Sequence, residues 1–292
     1  MPELAELRLT ADYINQEAKN RIFSGVVKNP EHKGEEVEID FPFIIEAKSR
    51  GKELMLTIST APEFVTDQVE VKHLMMGMGM TGYFKWLQPG AIEKHAHLMF
   101  KTESGTLAFV DVRRFGKWKL GFWNKDRGPD PTQQFQDFVR NIKNNLHKKD
   151  FDKPICEVLM NQKWFNGIGN YLRAEILYRM DINPFMPARE ALTKHTSIYS
   201  LCRTIPETAY LLGGGELKDW KNPFQFETLE DVKLGWSEFM QCYGNPGMAT
   251  MIDNNGKGRR FWYNPKWQQI DEETWCHYSG MPSPMAYETR LK

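Results

Sequence analysis

Apolar residues recur at Leu7, Ala11, Ile14 and Ala18, a spacing that puts them on one helical face, so a helix is predicted directly after the N-terminus. The period then halves. Val37, Ile39 and Phe41 alternate with acids, and Leu54, Leu56 and Ile58 alternate with Met55, Thr57 and Ser59, as half-buried strands do. Further apolar segments at 69–80, 83–87, 97–101 and 106–112 extend the series, several of them separated by glycine. One helix followed by many short strands predicts a two-layered β-sandwich. The polar run Asn124–Thr132, with Gly128, Pro129 and Pro131, ends the pattern and reads as a linker. Beyond it the signal is helical. Phe135, Phe138, Val139, Ile142 and Leu146 make one stripe. Asp152 is placed to cap a helix with Pro154 in its first turn, and further helices are predicted near 170–179 and 194–212. Last, Thr250–Ile252 and Arg259–Tyr263 flank an Asn/Gly-rich tip at 253–258, which predicts a β-hairpin. The class is α+β in two domains, 1–123 and 133–292, joined by 124–132.

Composition narrows this little. With 292 residues, 41% of them hydrophobic, the chain can bury a large core, and no stretch resembles a membrane span or a signal peptide. A soluble intracellular protein is expected. Cys156, Cys202, Cys242 and Cys276 stand far apart without a CxxC pair, so reduced thiols are expected and no metal. A formal net charge of +0 argues against a nucleic-acid partner, although a local basic groove matters more than the sum.

Candidate chemistry begins at the start of the chain. If Met1 is removed, Pro2 presents a secondary amine, of which on the order of 10–20% is neutral at pH 7. That amine can attack a carbonyl-like carbon and form a Schiff base, with Glu3 beside it as proton donor or acceptor and Glu6 one turn on. Taken alone, these residues are better read as an ordinary helix start with acids at the positive end. Phe165-Asn166-Gly167-Ile168-Gly169-Asn170 joins two helices through a glycine turn whose free amides suit a phosphate, or simply make a corner. Arg113-Arg114-Phe115-Gly116 ends a strand, and Met80 lies in a glycine-rich loop. Such side chains fill the hole left by an extruded base, or belong to a core and a strand end. Lys52, in Arg50-Gly51-Lys52, either covers a strand edge or binds a phosphate as a point charge.

Together these residues match a family. The chain resembles the formamidopyrimidine-DNA glycosylase and endonuclease VIII family of base-excision repair enzymes over nearly its whole length. The likeness rests on Pro2-Glu3, Arg50-Gly51-Lys52-Glu53-Leu54, Gly79-Met80-Thr81-Gly82, His95-Ala96-His97-Leu98 and Phe109 to Gly116. It continues through Phe165 to Tyr178, Cys242-Tyr243-Gly244 and Pro246-Gly247-Met248. The resemblance implies an N-terminal helix with a β-sandwich, a helix–two-turn–helix module and a C-terminal finger at about 240–265. Most of the family hold zinc in that finger through four cysteines; these are missing here, as in the family's zincless members.

Carried over residue by residue, the resemblance makes Pro2 the nucleophile and Glu3 the proton-transfer residue. Glu6 helps place the sugar, and Lys52 contacts phosphate and supports lyase chemistry. Met80, Arg113 and Phe115 fill the void, while Arg114, Asn170 and Arg259 hold DNA phosphates. The implied activity is that of a bifunctional DNA glycosylase and abasic-site lyase, without cofactor, removing oxidised and mainly pyrimidine-derived bases by β,δ-elimination. The expected partner is damaged double-stranded DNA, with single-stranded DNA as a second candidate, and the expected state is a monomer, nuclear in a eukaryote. The rival is a damaged-DNA-binding protein of the same fold with impaired catalysis. Two departures from the family pattern matter, the first for the pose of Glu3 and so for that rival, the second for damage preference. Leu4-Ala5 replaces the family's Gly-Pro, which lets the first helix begin earlier, and Gly215 stands where the nearest relatives have a lysine or arginine over the flipped base, with Lys218 as a candidate substitute.

Overall fold

A computed structural model describes residues 2–65, 68–215, 235–252, 260–268 and 270. The chain divides into two compact units, Met1–Lys125 with Ala209–Asp231, and Asp126–Thr208 with Val232–Lys292. The break after Lys125 falls inside the expected linker. Residues 209–215 group with the first unit, although the sequence pattern assigned everything after 132 to the second. Long-range bonds explain this: the Tyr210 hydroxyl donates to Asp12 at 2.7 Å, and the Gly215 amide donates to Glu6 at 2.9 Å.

The first unit starts with α1 (Leu4–Ala18), whose buried face includes Leu7, Ala11, Ile14 and Ala18, as the spacing predicts. Its start at Leu4 fits the good helix-forming residues that replace the family's Gly-Pro. The strands are β1 (Gly25–Lys28), β2 (Phe43–Arg50), β3 (Glu53–Thr60), β4 (Val71–Gly77), β5 (Tyr83–Leu87), β6 (Ala96–Thr102), β7 (Gly105–Val110) and β8 (Lys117–Leu120). They form two antiparallel sheets, ordered β1-β6-β7-β5 and β2-β3-β4-β8. One apolar core joins them. Leu54, Leu56, Ile58 and Leu74 from one sheet cluster with Phe84, Leu98, Phe100 and Phe109 from the other, and with α1.

Two sequence expectations need correction. Val37, Ile39 and Phe41 alternate like a strand, and Val37 is buried, but residues 37–41 belong to no sheet. Their side chains pack on the core cluster while their backbone finds no ladder partner. Asp152 ends a short 3-10 turn (Lys149–Asp152) instead of capping a helix; its carboxylate pairs with Arg189 at 2.7 Å, and Pro154 precedes α3 (Ile155–Val158). The helix expected over roughly 194–212 is α6 (Ser197–Leu211); α5 (Ala188–Lys194), which the periodicity does not signal, precedes it and ends where His195 leaves helical geometry.

The second unit also holds α2 (Phe135–Asn145), α4 (Asn170–Met180) and α7 (Trp236–Phe239). Strands β9 (Ala249–Ile252) and β10 (Arg260–Tyr263) pair antiparallel as the two arms of the expected hairpin; residues 253–259 lie outside the described residues. Glu175 of α4, fully buried, draws the segment before this hairpin onto the helix. Its carboxylate accepts the backbone amides of Gln241, Cys242 and Tyr243 and pairs with Arg179 at 2.5 Å. From the other side, Gln268 donates to the Leu177 and Ile182 carbonyls. No group of three or more His, Cys, Asp or Glu suited to a metal ion occurs among the described residues. Burial pushes the Cys242 thiol up to about 12, and Glu175 beside it adds to the shift.

A titrating group sits in the sandwich. His32 stacks on Trp118 at 4.4 Å and lies 4.8 Å from His97, and its Nδ1 accepts the Gly34 amide at 2.9 Å. Burial first, then His97 and Lys28, lowers its pKa, with Asp111 opposing them. The unfolded chain therefore binds this proton more readily than the folded one. The stabilisation is fully present above about pH 6.5 and is lost as pH falls through the lowered folded value. The thermal midpoint is expected to rise between about pH 5 and pH 7, and His32→Phe, which keeps a ring in the stack, should flatten that rise. An unchanged pH slope in that variant would assign the effect to another group.

Candidate active site

The N-terminus of α1 is the centre of the first unit's candidate site. Pro2 and Glu3 precede the helix and are buried, and Glu3 occupies the N-cap in an extended conformation. The cap is held from below: the Glu3 amide donates to Glu6 Oε2 at 2.8 Å. Glu6, with no exposed surface, accepts the Gly215 amide on its other oxygen, Oε1. One carboxylate thus ties the chain's start to a loop 209 residues away. That loop is built for close approach. Gly214 has a φ of +73°, and a Cβ there would come within 2.9 Å of Leu9 and 3.1 Å of Glu6. The two oxygens of Glu6 also face the positive end of α1, where a negative charge is favoured. At Gly215 only a backbone amide is offered, while Lys218 lies outside the described residues.

Lys52 stands at the tip of the β2–β3 hairpin, after Gly51 at a φ of +57°. The tip is braced. Arg50 donates to Glu53 at 2.8 Å and to the Asn124 carbonyl at 2.8 Å, while the Asn124 amide donates to Glu53 Oε1 at 3.0 Å. The Arg50 guanidinium also lies 5.2 Å from the Trp123 ring centre. This network was not legible beforehand, because Asn124 looked like linker. Trp123, immediately before the polar run, is the nearest signal.

Met80 follows β4, and Arg113, Arg114 and Phe115 occupy the turn between β7 and β8. The structure brings the three predicted void-fillers together. Arg113 Nη1 donates to Met80 Sδ at 3.4 Å, and its guanidinium lies 4.7 Å from the Phe115 ring centre. Met80 and Phe115 are exposed. Arg114 has a left-handed φ of 55° and pairs with Glu31 at 2.9 Å on the surface, a bond that a competing phosphate can replace.

In the second unit Asn170 opens α4 just after Gly169. Its Nδ2 donates to the Arg260 carbonyl at 3.0 Å, and its Oδ1 accepts from Arg173 at 2.6 Å. Arg173 is itself buried, donating to the Cys156 carbonyl at 2.9 Å. Asn170 therefore holds the start of β10 at Arg260. Arg259 itself, like Lys257, lies outside the described residues.

With these residues in place, comparison with known proteins is informative. Residues 1–118 match the family described as formamidopyrimidine-DNA glycosylase N-terminal domain. The chain is 37% identical to human Endonuclease 8-like 1 over 291 residues, covering 90% of this chain and 72% of that protein. It is 30% identical to the formamidopyrimidine-DNA glycosylase of Streptococcus pneumoniae over 247 residues, covering 78% of this chain and 83% of that one. Among solved structures, wild-type Lactococcus lactis Fpg (MutM) in complex with DNA containing an oxidised pyrimidine matches with a TM-score of 0.72 at 22% identity. The MutM (Fpg) protein of Thermus thermophilus matches with a TM-score of 0.71 at 22% identity, and both cover 92% of this chain and 100% of theirs. At that identity the structures establish the shared α+β fold.

Proposed function

The chain belongs to the formamidopyrimidine-DNA glycosylase and endonuclease VIII family of DNA-repair glycosylases, and from that premise we propose that it is a bifunctional glycosylase and abasic-site lyase acting through Pro2. With Met1 removed, the Pro2 nitrogen attacks C1′ of an extruded nucleotide while Glu3 protonates the opening sugar. The bond from C1′ to the base breaks and the base leaves. The resulting iminium withdraws electrons from the C1′–C2′ bond, so a C2′ proton is lost and the 3′ phosphate departs; a second elimination releases the 5′ phosphate. The protein supplies position and charge, because the iminium is its own electron sink.

The observation that carries this reading is the junction of Pro2 and Glu3 with a buried carboxylate. Glu6 takes the Glu3 amide and the Gly215 amide at once, which supports a positioning role for Glu6 beneath the sugar. The braced hairpin under Lys52 suits a compact charge aimed at a phosphate. Met80, Arg113 and Phe115 take the place of the extruded nucleotide, and Arg114, Asn170 and Arg259 bind phosphates around it. Oxidised pyrimidines are the proposed substrates. The finger needs no zinc in this reading, since Glu175, Gln268 and Asn170 hold its described parts to α4. A monomer located in the nucleus completes the proposal.

Borohydride reduction tests it. Mixed with DNA bearing a single abasic site, the chain is expected to become covalently attached through its N-terminus, and mass analysis should find Met1 absent. Retained DNA binding without attachment would leave only the binding function.

A further inference from the structure

Asp111 lies at the end of β7 with no exposed surface, and nothing in the chemistry above uses it. Its carboxylate joins two loops. Oδ1 accepts the Thr81 hydroxyl, from the loop that carries Met80, and also the Arg113 amide at 3.2 Å. Oδ2 accepts the Gly116 amide at 2.6 Å, at the far end of the turn that carries Phe115. The Thr81 hydroxyl in turn lies 3.4 Å from the Arg113 amide. The main chain of Asp111 is held as well: its amide donates to the His95 carbonyl at 3.0 Å, and its carbonyl lies 2.8 Å from His97 Nε2. The loops also meet at their backbones. Gly79 adopts a φ of +63°, and a Cβ there would stand 2.9 Å from the Gly116 nitrogen.

These donors are one hydroxyl and two backbone amides, so the carboxylate is placed to fix loop geometry and has no part in proton transfer. The consequence concerns entropy. Three side chains on two loops must enter a stacked duplex together. Independent loops would each lose freedom on insertion, whereas cross-linked loops have lost it already during folding. We propose that Asp111, acting through Thr81, is the positioning residue that holds Met80 and the Arg113–Phe115 turn as one preformed plug. The inference rests on the void-filling roles given above, and it assigns the damage-searching insertion step to a rigid unit and not to three separate side chains.

The test reads the void itself. A duplex carries a tetrahydrofuran abasic analogue opposite 2-aminopurine, and the fluorescence change is followed by rapid mixing at saturating protein. Thr81→Val, which removes the hydroxyl that ties the Met80 loop to Asp111 and little volume, is expected to slow the change about tenfold, as the loss of a buried hydrogen bond predicts. Thr81→Ser, which keeps the hydroxyl, should stay within about twofold of wild type. Asp111→Asn should behave like the valine variant. If the combined Met80→Ala, Arg113→Ala and Phe115→Ala variant keeps the full signal, the void-filling reading fails and takes this inference with it. If that variant loses the signal while Thr81→Val keeps the wild-type rate, only the inference is overturned. Amide hydrogen exchange of DNA-free protein gives an independent reading. Thr81→Val should lower protection of residues 78–82 and 111–116 together; loosening of one loop alone would show that they are not coupled.

Discussion

Replacing Pro2 by glycine is expected to reduce base removal and strand cutting together, each by at least roughly 10³-fold, as loss of a nucleophile does in other covalent enzymes. The residual primary amine keeps some reactivity, but it lacks the ring that fixes the nitrogen's direction at the start of α1. The fold should survive, because the helix cap is made by the Glu3 amide and the Glu6 carboxylate, neither of which involves the Pro2 side chain. Affinity for a duplex with an uncleavable abasic analogue should therefore stay near wild type, and the loss should appear in turnover and in borohydride attachment. An adduct that forms equally well when Met1 is retained would move the nucleophile elsewhere, with Lys52 the first alternative.

Glu3→Gln separates the two halves of the reaction. The substitution leaves the Glu3 amide, and with it the bond to Glu6, in place. It removes only the acid. Expulsion of the base needs a proton on the opening sugar, so excision should fall roughly 10²- to 10⁴-fold. Cutting at a preformed abasic site begins at an aldehyde that Pro2 can attack without that help, and should fall less than about tenfold. Kinetics on one lesion duplex and one abasic duplex of the same sequence decide the matter. Equal losses in both would mean that Glu3 serves the imine chemistry throughout and is not chiefly the glycosylase acid.

These variants probe residues that were legible because they are contiguous. Pro2-Glu3, Arg50-Gly51-Lys52 and Phe165 to Asn170 are short runs of neighbours that a family resemblance can match without a fold. Their supports were not legible. Thr81 and Asp111 are 30 residues apart, and Glu6 and Gly215 are 209 apart, so no local spacing signals either contact. A lone acid ending the apolar run Leu107 to Val110 was the nearest hint of Asp111. The same limit explains the errors in the elements. Val37, Ile39 and Phe41 have the period of a strand, but pairing requires a neighbour with free backbone groups, and periodicity does not supply one. Strand β8, Lys117–Leu120, alternates but is only four residues long, too short for its period to signal a strand, and it forms because β4 offers it an edge.

The sequence by itself determined the helix that follows the N-terminus, most strands of the sandwich, the hairpin at 249–263 and the family, and from the family came the side chains proposed to react. Each of these is written in local periodicity or in a short run of neighbouring residues, and physics acts on such runs before the chain is folded. Tertiary structure alone decided that residues 209–215 pack with the first unit, that Glu6 is occupied at both oxygens, and that Asp111 binds two loops into one. Those outcomes depend on buried carboxylates, which must collect amide and hydroxyl donors from whatever segment folding brings near, because an unsatisfied buried charge costs too much to leave alone.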